Sequence, residues 1–426
     1  MEDQLTLFNI TEKIADAKST TFVDNMRLPI HRWFRYSAGF SAEWVKQLVR
    51  EHYDEDMRVL DPFAGSGTTL IACDEIGVQS VGYEKHPFVR RVANIKSLYS
   101  IDTQEAEKHC IQLLHYRADE TFDYETQPEL LRKCYTEDTL ARLTVLRNGF
   151  LALRDSSPEW DLVWLLITAI LRITSHVGTA QWQYVLPNKR KSNTTSVEIA
   201  YRQKMKEMIH DLRRFQDEQT SRRSVIWDFD ARERNDQYEN YFDLLITSPP
   251  YPNNYDYADA TRLEMVFWGD IKGWSDLQNA VRKNLIRSCS QHTSAEKLDL
   301  DTLLGQRELS VIAEELSGVC RRLEKARQEH GGKKTYHTMI AAYYLDLAKV
   351  LIALRHSMKS GSRLCFVIGD SAPYGVYAPA DGWLGRLALA AGFQGWDFEK
   401  TRDRNIKWKN RKHNVPLKEG RLWIKG

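Results

Sequence analysis

The sequence predicts an α/β protein built on an open, mostly parallel sheet, and three observations carry that reading. Short apolar runs that read as strands alternate with helix-patterned stretches. The runs that carry motifs end in turns rich in Gly, Pro and acidic residues, and sheets of this kind bind ligands at the carboxyl ends of their strands. Two long stretches, 101–223 and 270–340, are charged and helix-patterned and stand outside the alternation, as helical insertions on the rim of the sheet.

The strands follow in order. Residues 57–60 form the first, and residues 78–83 the second, ending at Glu84. Residues 224–229 form a third that ends near Asp230, and Phe242–Thr247 a fourth whose apolar run suits a buried strand. Residues 362–370 form the fifth, preceded by a helix over 343–358. Residues 392–398 and 421–424 read as a closing antiparallel pair, which makes a seven-stranded sheet. Within the second insertion, 314–328 is strongly helical by composition.

Composition narrows the function classes. At 426 residues, 42% hydrophobic and 28% charged, the chain has room for more than one compact domain. A net charge of +2 means that any nucleic-acid surface must come from local basic clusters. Twelve Trp and nineteen Tyr suit base stacking and an ordinary core equally well. The six cysteines (Cys73, Cys110, Cys134, Cys289, Cys320 and Cys365) form no C-x-x-C pair and no metal-ligand spacing with histidines. No metal site is expected, and free thiols suit a reducing cytoplasm. The amino terminus lacks the basic and apolar regions of a signal peptide. The longest apolar run, 161–171, is too short to span a bilayer and reads as a buried helix, so no membrane is expected.

Two motifs carry the chemistry. Asp61-Pro62-Phe63-Ala64-Gly65-Ser66-Gly67-Thr68-Thr69 follows the first strand. Its glycines allow close backbone approach to a ligand, and the helix opening at Thr68 offers free amides. The dinucleotide fingerprint and the phosphate-loop lysine are both missing, so the ligand need not be a phosphate. Glu84, at the end of the second strand, is placed to accept hydrogen bonds from both hydroxyls of a ribose; the plain alternative is a solvated glutamate. Asp230 is placed to accept from an adenine amino group, with Asp228 as its competitor. The second motif is Thr247-Ser248-Pro249-Pro250-Tyr251. Its prolines fix the backbone and remove two amide donors, leaving carbonyls free to accept. Such an acceptor rim beside a flat aromatic suits an exocyclic amino group on a planar base. A surface proline turn is the bland alternative, and the strand and glycine turn weigh against it.

Together the two motifs resemble the amino-methylating DNA methyltransferases, which use S-adenosylmethionine. The order of amino-terminal element, glycine turn and Ser-Pro-Pro-Tyr is their unpermuted arrangement, and the resemblance covers about 25–100, 224–268 and 340–426. It implies a Rossmann-like methyltransferase fold. It also implies an amino-terminal element, 28–41, that closes over the methionine end of the cofactor through Phe40 and Ser41. Those two residues equally suit a helix start, with Ser41 as cap and Phe40 as staple. The implied cofactor contacts are Phe40, Ser41, Asp61, Pro62, Phe63, Gly65, Gly67, Thr68, Glu84, Asp230 and Thr247. In the implied catalytic set, the Ser248 hydroxyl and the Pro249 carbonyl accept the two amino hydrogens, Pro250 stiffens the turn, and Tyr251 stacks on a base flipped out of duplex DNA. Asn253, Asn254 and Tyr255 are expected beside that base. Lys189, Arg190 and Lys191, following the aromatic patch Trp182–Tyr184, are expected on phosphate, as are Arg222-Arg223 and the run Asn405–His413.

Carbon methylation of cytosine uses a cysteine thiolate presented as Pro-Cys, and no such dipeptide exists here. In the family Ser at the first motif position favours cytosine N4, and Asp or Asn favours adenine N6. The expected function is therefore a site-specific cytosine-N4 methyltransferase of a restriction–modification system, acting on double-stranded DNA beside a cognate endonuclease. The alternatives are adenine-N6 methylation, amino methylation of RNA, and an inactive nucleic-acid-binding subunit. The expected division places the cofactor-closing element and first half of the core in 1–100. The catalytic half lies in 224–269 and the last part of the core in 341–426. The insertions 101–223 and 270–340 are candidates for DNA recognition.

Overall fold

The computed structural model describes residues 22–36, 39–117, 121–180, 184–404 and 415–426. Trp182 and the basic run Asn405–His413 lie outside the described residues. The strands are β1 (Arg58–Asp61), β2 (Gln79–Tyr83), β3 (Val177–Thr179), β4 (Val185–Arg190), β5 (Ser224–Trp227), β6 (Phe242–Thr247), β7 (Met358–Gly369), β8 (Gly395–Arg404) and β9 (Leu417–Lys425). Seven of them form one sheet in the order β5-β2-β1-β6-β7-β9-β8. Pairing is parallel from β5 through β7, and β9 lies antiparallel to both β7 and β8. The expected mostly parallel seven-stranded sheet with an antiparallel carboxyl-terminal hairpin is therefore present.

β1 and β6 are adjacent, with Val59 opposite Leu244 and Leu60 opposite Leu245. Both strands are apolar because helices cover the two faces of the sheet. This adjacency brings the turn after β1 and the loop after β6 to the same edge. Several boundaries differ from expectation: β5 stops at Trp227, the helix before β7 starts at Tyr336, and β9 starts at Leu417. β7 begins at Met358, where it pairs with Phe242 across a bulge. The polar stretch Lys359-Ser360-Gly361 hides that start. β8 runs on to Arg404, because Arg402 pairs with Glu419 on β9 at 2.6 Å. A charged cross-strand pair stabilises a hairpin without leaving an apolar signature.

The helix Tyr336–Ser357 leads into β7 and runs through the core beneath the sheet. It is long and apolar enough to cross a membrane, unlike 161–171, yet 89% of its apolar window is buried inside the fold. A core helix meets the same length and composition test.

The first insertion contains the helices Thr103–His115, Glu129–Cys134, Glu137–Leu153, Pro158–Thr174 and Val197–Asp217. It also contains the β3–β4 hairpin, which departs from the all-helical expectation. β4 ends in the exposed Asn188-Lys189-Arg190, so its strand period has no apolar face to reveal it. The insertion shares one apolar core with the sheet's own elements. Leu162, Leu166 and Tyr201 pack in the cluster that holds Ile30, Trp33, Phe88 and Phe267. The second insertion includes Ser290–Glu296 and Ala313–Glu329, and it packs against Tyr336–Ser357.

Candidate active site

β1 ends at Asp61, whose buried carboxylate is consumed by its own neighbours. Oδ1 accepts from the Thr247 hydroxyl at 2.6 Å and the Phe63 amide at 3.1 Å, and Oδ2 accepts from the Thr69 hydroxyl at 2.6 Å. One side chain thus ties the end of β1 to the end of β6 and to the helix Thr68–Ile76. Burial pushes the Asp61 carboxyl up to about 6, against the three hydrogen bonds that favour its charged form. Gly65 and Gly67 have φ of 53° and 87°, left-handed values that favour glycine. The turn they make directs the Gly65 amide at Glu84 Oε2, at 2.8 Å, while the His86 amide donates to Oε1, also at 2.8 Å. Burial raises the Glu84 carboxyl to about 7, and the two amides oppose the rise. Each oxygen holds one donor and keeps a second acceptor direction.

A pocket opens beside this cradle. Of the residues singled out in the sequence, Pro62, Phe63, Gly65, Glu84, Asp230, Ser248 and Pro250 line it. Both motifs therefore reach one cavity. Asp230 is gripped by Arg232, with Nε to Oδ1 at 3.0 Å and Nη2 to Oδ2 at 2.7 Å. Burial acts to raise its pKa, but Arg232 outweighs burial and the net shift is downward. Asp228 is outside the lining, half exposed, and paired with Lys85 at 2.9 Å and Arg90 at 2.8 Å.

Several lining residues carried no motif. Tyr36 packs its ring on the glycine turn, where a Cβ at Gly65 would lie 3.4 Å from it. Phe229 stands next to Asp230 and packs on Tyr83 at 4.9 Å; an aromatic beside an acidic strand end was a usable signal. His86 is buried, with Nε2 2.9 Å from the Thr261 hydroxyl, and burial lowers it to about 3, which keeps it neutral. Residues 284–286 come from the second insertion.

The loop after β6 is held from many sides. The Ser248 hydroxyl donates to the Val367 carbonyl on β7 at 3.3 Å. Tyr251 is half-buried, with the Arg404 guanidinium 5.2 Å from its ring centroid, and burial raises its phenol above the ordinary value. Pro249 is buried beneath the loop. Asn253 Oδ1 accepts from the Tyr255 amide at 3.1 Å. Asn254, at φ 67°, accepts from the Ser290 amide at 2.8 Å and hydroxyl at 2.6 Å. Tyr255 packs between Tyr184 at 5.4 Å and Tyr257 at 4.5 Å. These three side chains shape the loop and lie outside the pocket lining, whereas Tyr257 reaches it. Asp256 accepts two bonds from the buried Arg282, at 2.9 and 2.7 Å.

The remaining expected residues lie apart from the pocket lining. Phe40 packs edge-on against Trp44 at 5.7 Å, and Ser41 caps the helix Ala42–Glu51 by accepting from the Trp44 amide. Gly67 and Thr68 open the helix behind the turn, and the Thr247 side chain turns back to Asp61. Lys189 and Arg190 are exposed on β4, while Lys191 donates to the Arg172 carbonyl at 2.5 Å. Among the described residues no group of three potential metal ligands occurs.

Sheet topology, glycine turn and the shared pocket define an α/β methyltransferase fold. A family model described as DNA methylase, of the N6/N4 type, matches residues 8–94. The type II methyltransferase M.AvaI of Nostoc sp. is 25% identical over 407 residues, covering 88% of this chain and 81% of that protein. M.BsoBI of Geobacillus stearothermophilus, also a type II methyltransferase, is 24% identical over 415 residues with the same coverage. M.MjaII of Methanocaldococcus jannaschii is 33% identical over 86 residues, 20% of this chain and 16% of that protein. No solved structure matches. These matches are to DNA methyltransferases of the N6/N4 amino-methylating type, and the chain is similar to that family.

Proposed function

We propose that this protein is a type II DNA methyltransferase that methylates the exocyclic N4 amino group of a flipped cytosine, with S-adenosylmethionine as donor. The observation that carries the reading is the single pocket lined by both Glu84 and Ser248. The residues fit the donor: Glu84 has acceptor directions left for ribose hydroxyls, and Phe229 and Asp230 stand where an adenine would be flanked and hydrogen-bonded. Asp230 is preferred to Asp228 because it lines the pocket. S-adenosylmethionine, when bound, supplies an electrophilic methyl group on a sulfonium sulfur.

The chain's own residues do the rest. An aromatic amine is a poor nucleophile because its lone pair is delocalised into the ring. The Ser248 hydroxyl is within reach of the Val367 carbonyl at 3.3 Å and of the Tyr251 phenol; with its proton on the carbonyl, its oxygen lone pairs are left to accept from the amine. The Pro249 carbonyl is the second acceptor. Two acceptors on the amino hydrogens favour a pyramidal nitrogen, and alignment of nitrogen and methyl supplies the remaining catalysis. Tyr251 stacks on the base, with Arg404 supporting the ring.

Cytosine is preferred to adenine because Ser, not Asp or Asn, opens the motif. The relatives' designation as type II methyltransferases supports a restriction–modification role. A cognate endonuclease in the same cytoplasm is then the expected partner. The two insertions are the proposed base readers, since Tyr184 and Ser290 both touch the catalytic loop. The test is incubation of unmethylated duplex DNA with the protein and labelled donor, then digestion to nucleosides and mass spectrometry. N4-methylcytosine is expected. N6-methyladenine alone would overturn the base, methylation of RNA alone the substrate, and absence of product the activity.

A further inference from the structure

The helix Val197–Asp217 belongs to the first insertion, yet one of its faces reaches the amino-terminal segment 30–34. Lys204, Glu207 and Asp211 recur at helical spacing on that face. Asp211 is completely buried. Its carboxylate accepts from the Ile30 amide at 3.1 Å, from Arg32 Nε at 3.0 Å and from the Trp33 indole at 3.0 Å. Lys204 adds a bond to the Arg32 carbonyl at 3.4 Å. From the opposite side the buried Lys96 donates to the carbonyls of His31 at 3.1 Å and Phe34 at 3.5 Å. Segment 30–34 is thus gripped between a buried carboxylate and a buried amine.

The grip has a conformational reason. Ile30 has φ 62°, a value that β-branched residues avoid. Its amide is one of the donors to Asp211, so the insertion holds a backbone conformation that the segment would not keep alone. Two residues past Phe34 is Tyr36, whose ring covers Gly65 in the wall of the pocket.

We infer that Asp211 is a positioning residue for the cofactor: through segment 30–34 the first insertion sets Tyr36 over the glycine turn, so donor affinity depends on an element outside the sheet. This rests on the pocket being the donor site. The insertion is then part of the cofactor site as well as a candidate DNA reader.

The test uses the full chain, with S-adenosylmethionine binding followed by calorimetry and KM measured separately for donor and DNA. Asp211→Asn keeps the volume and removes the charge. It should raise the donor Kd and KM by about tenfold, equivalent to ~1.4 kcal/mol, with KM for DNA unchanged. Trp33→Phe removes a single donor and should act in the same direction, more weakly, if Asp211→Asn proves too unstable to assay. In a Tyr36→Ala background, Asp211→Asn should add nothing, because the two act in series. Folded variants with wild-type donor affinity, or additive effects with Tyr36→Ala, would overturn the inference alone. A wild-type protein that binds no donor would overturn the assignment of the pocket and the inference with it.

Discussion

The glycine turn and the Ser-Pro-Pro-Tyr loop face one pocket but are held there by different means. The turn is assembled by contiguous chain: every partner of the Glu84 carboxylate lies between Gly65 and His86, and both are backbone amides. The loop is held by side chains from distant segments. Ser290 holds Asn254, Arg282 holds Asp256, and Arg404 stands over Tyr251. A backbone cradle is specified by a short motif, and distant segments reach it through few contacts, such as the Tyr36 ring on Gly65. A loop held by remote side chains depends on the insertions that supply them.

The largest effect that follows is from Arg282→Met. It leaves the buried Asp256 with backbone amides on Oδ1 but no countercharge, at a cost of about 3–5 kcal/mol, with both side chains almost fully enclosed. Denaturant unfolding should show it, and activity should fall with it. A loss under ~1 kcal/mol would mean that the loop holds itself and the contrast between the two regions is false.

Tyr251→Ala should weaken retention of the flipped base by about 1–3 kcal/mol, read from a fluorescent cytosine analogue at the target position. Tyr251→Phe should keep most activity, because the ring face is used. Equal inactivity of both variants would make the phenol a chemical participant and replace the stacking role.

The cradle makes a smaller prediction, in pH. Glu84 rests at about 7 when buried, so donor affinity should rise with pH through that value as its acceptor capacity is completed. Glu84→Gln should flatten the profile. The stability sign is opposite: an acid raised by burial disfavours the native state as pH climbs from its unfolded value, near 4.3, to about 7. Glu84→Gln should therefore gain relative stability between pH 4 and 7 and hold that gain above it. A melting-temperature difference that stays constant with pH would exclude Glu84 as the titrating group.

The same contrast explains what was legible. β6 is buried on both faces and announces itself as an apolar run, while β1 and β2 are short strands marked by the motifs that follow them; these motifs sit where parallel sheets place ligands. β3–β4 and the far end of β8 were hidden because charged pairs and exposed residues carry no periodic signal. Tyr36 was missed in an element that was itself noticed: the resemblance pointed to Phe40 and Ser41, which pack and cap, and nothing local marks Tyr36 as facing Gly65. Residues 284–286 reach the pocket only through tertiary packing, which has no sequence pattern of its own. Asn253, Asn254 and Tyr255 follow the motif in sequence, yet the loop turns their side chains to its own support.

The central claim is that the Ser248 hydroxyl, its proton given to the Val367 carbonyl, accepts from the target amine. The direct measurement is single-turnover methylation by Ser248→Ala with donor and DNA pre-bound at saturation. The rate should fall by roughly 10²-fold, the scale for one preorganised hydrogen bond in a reacting site, with both dissociation constants unchanged. A wild-type rate would mean that other groups orient the amine, and the account of this site would fail.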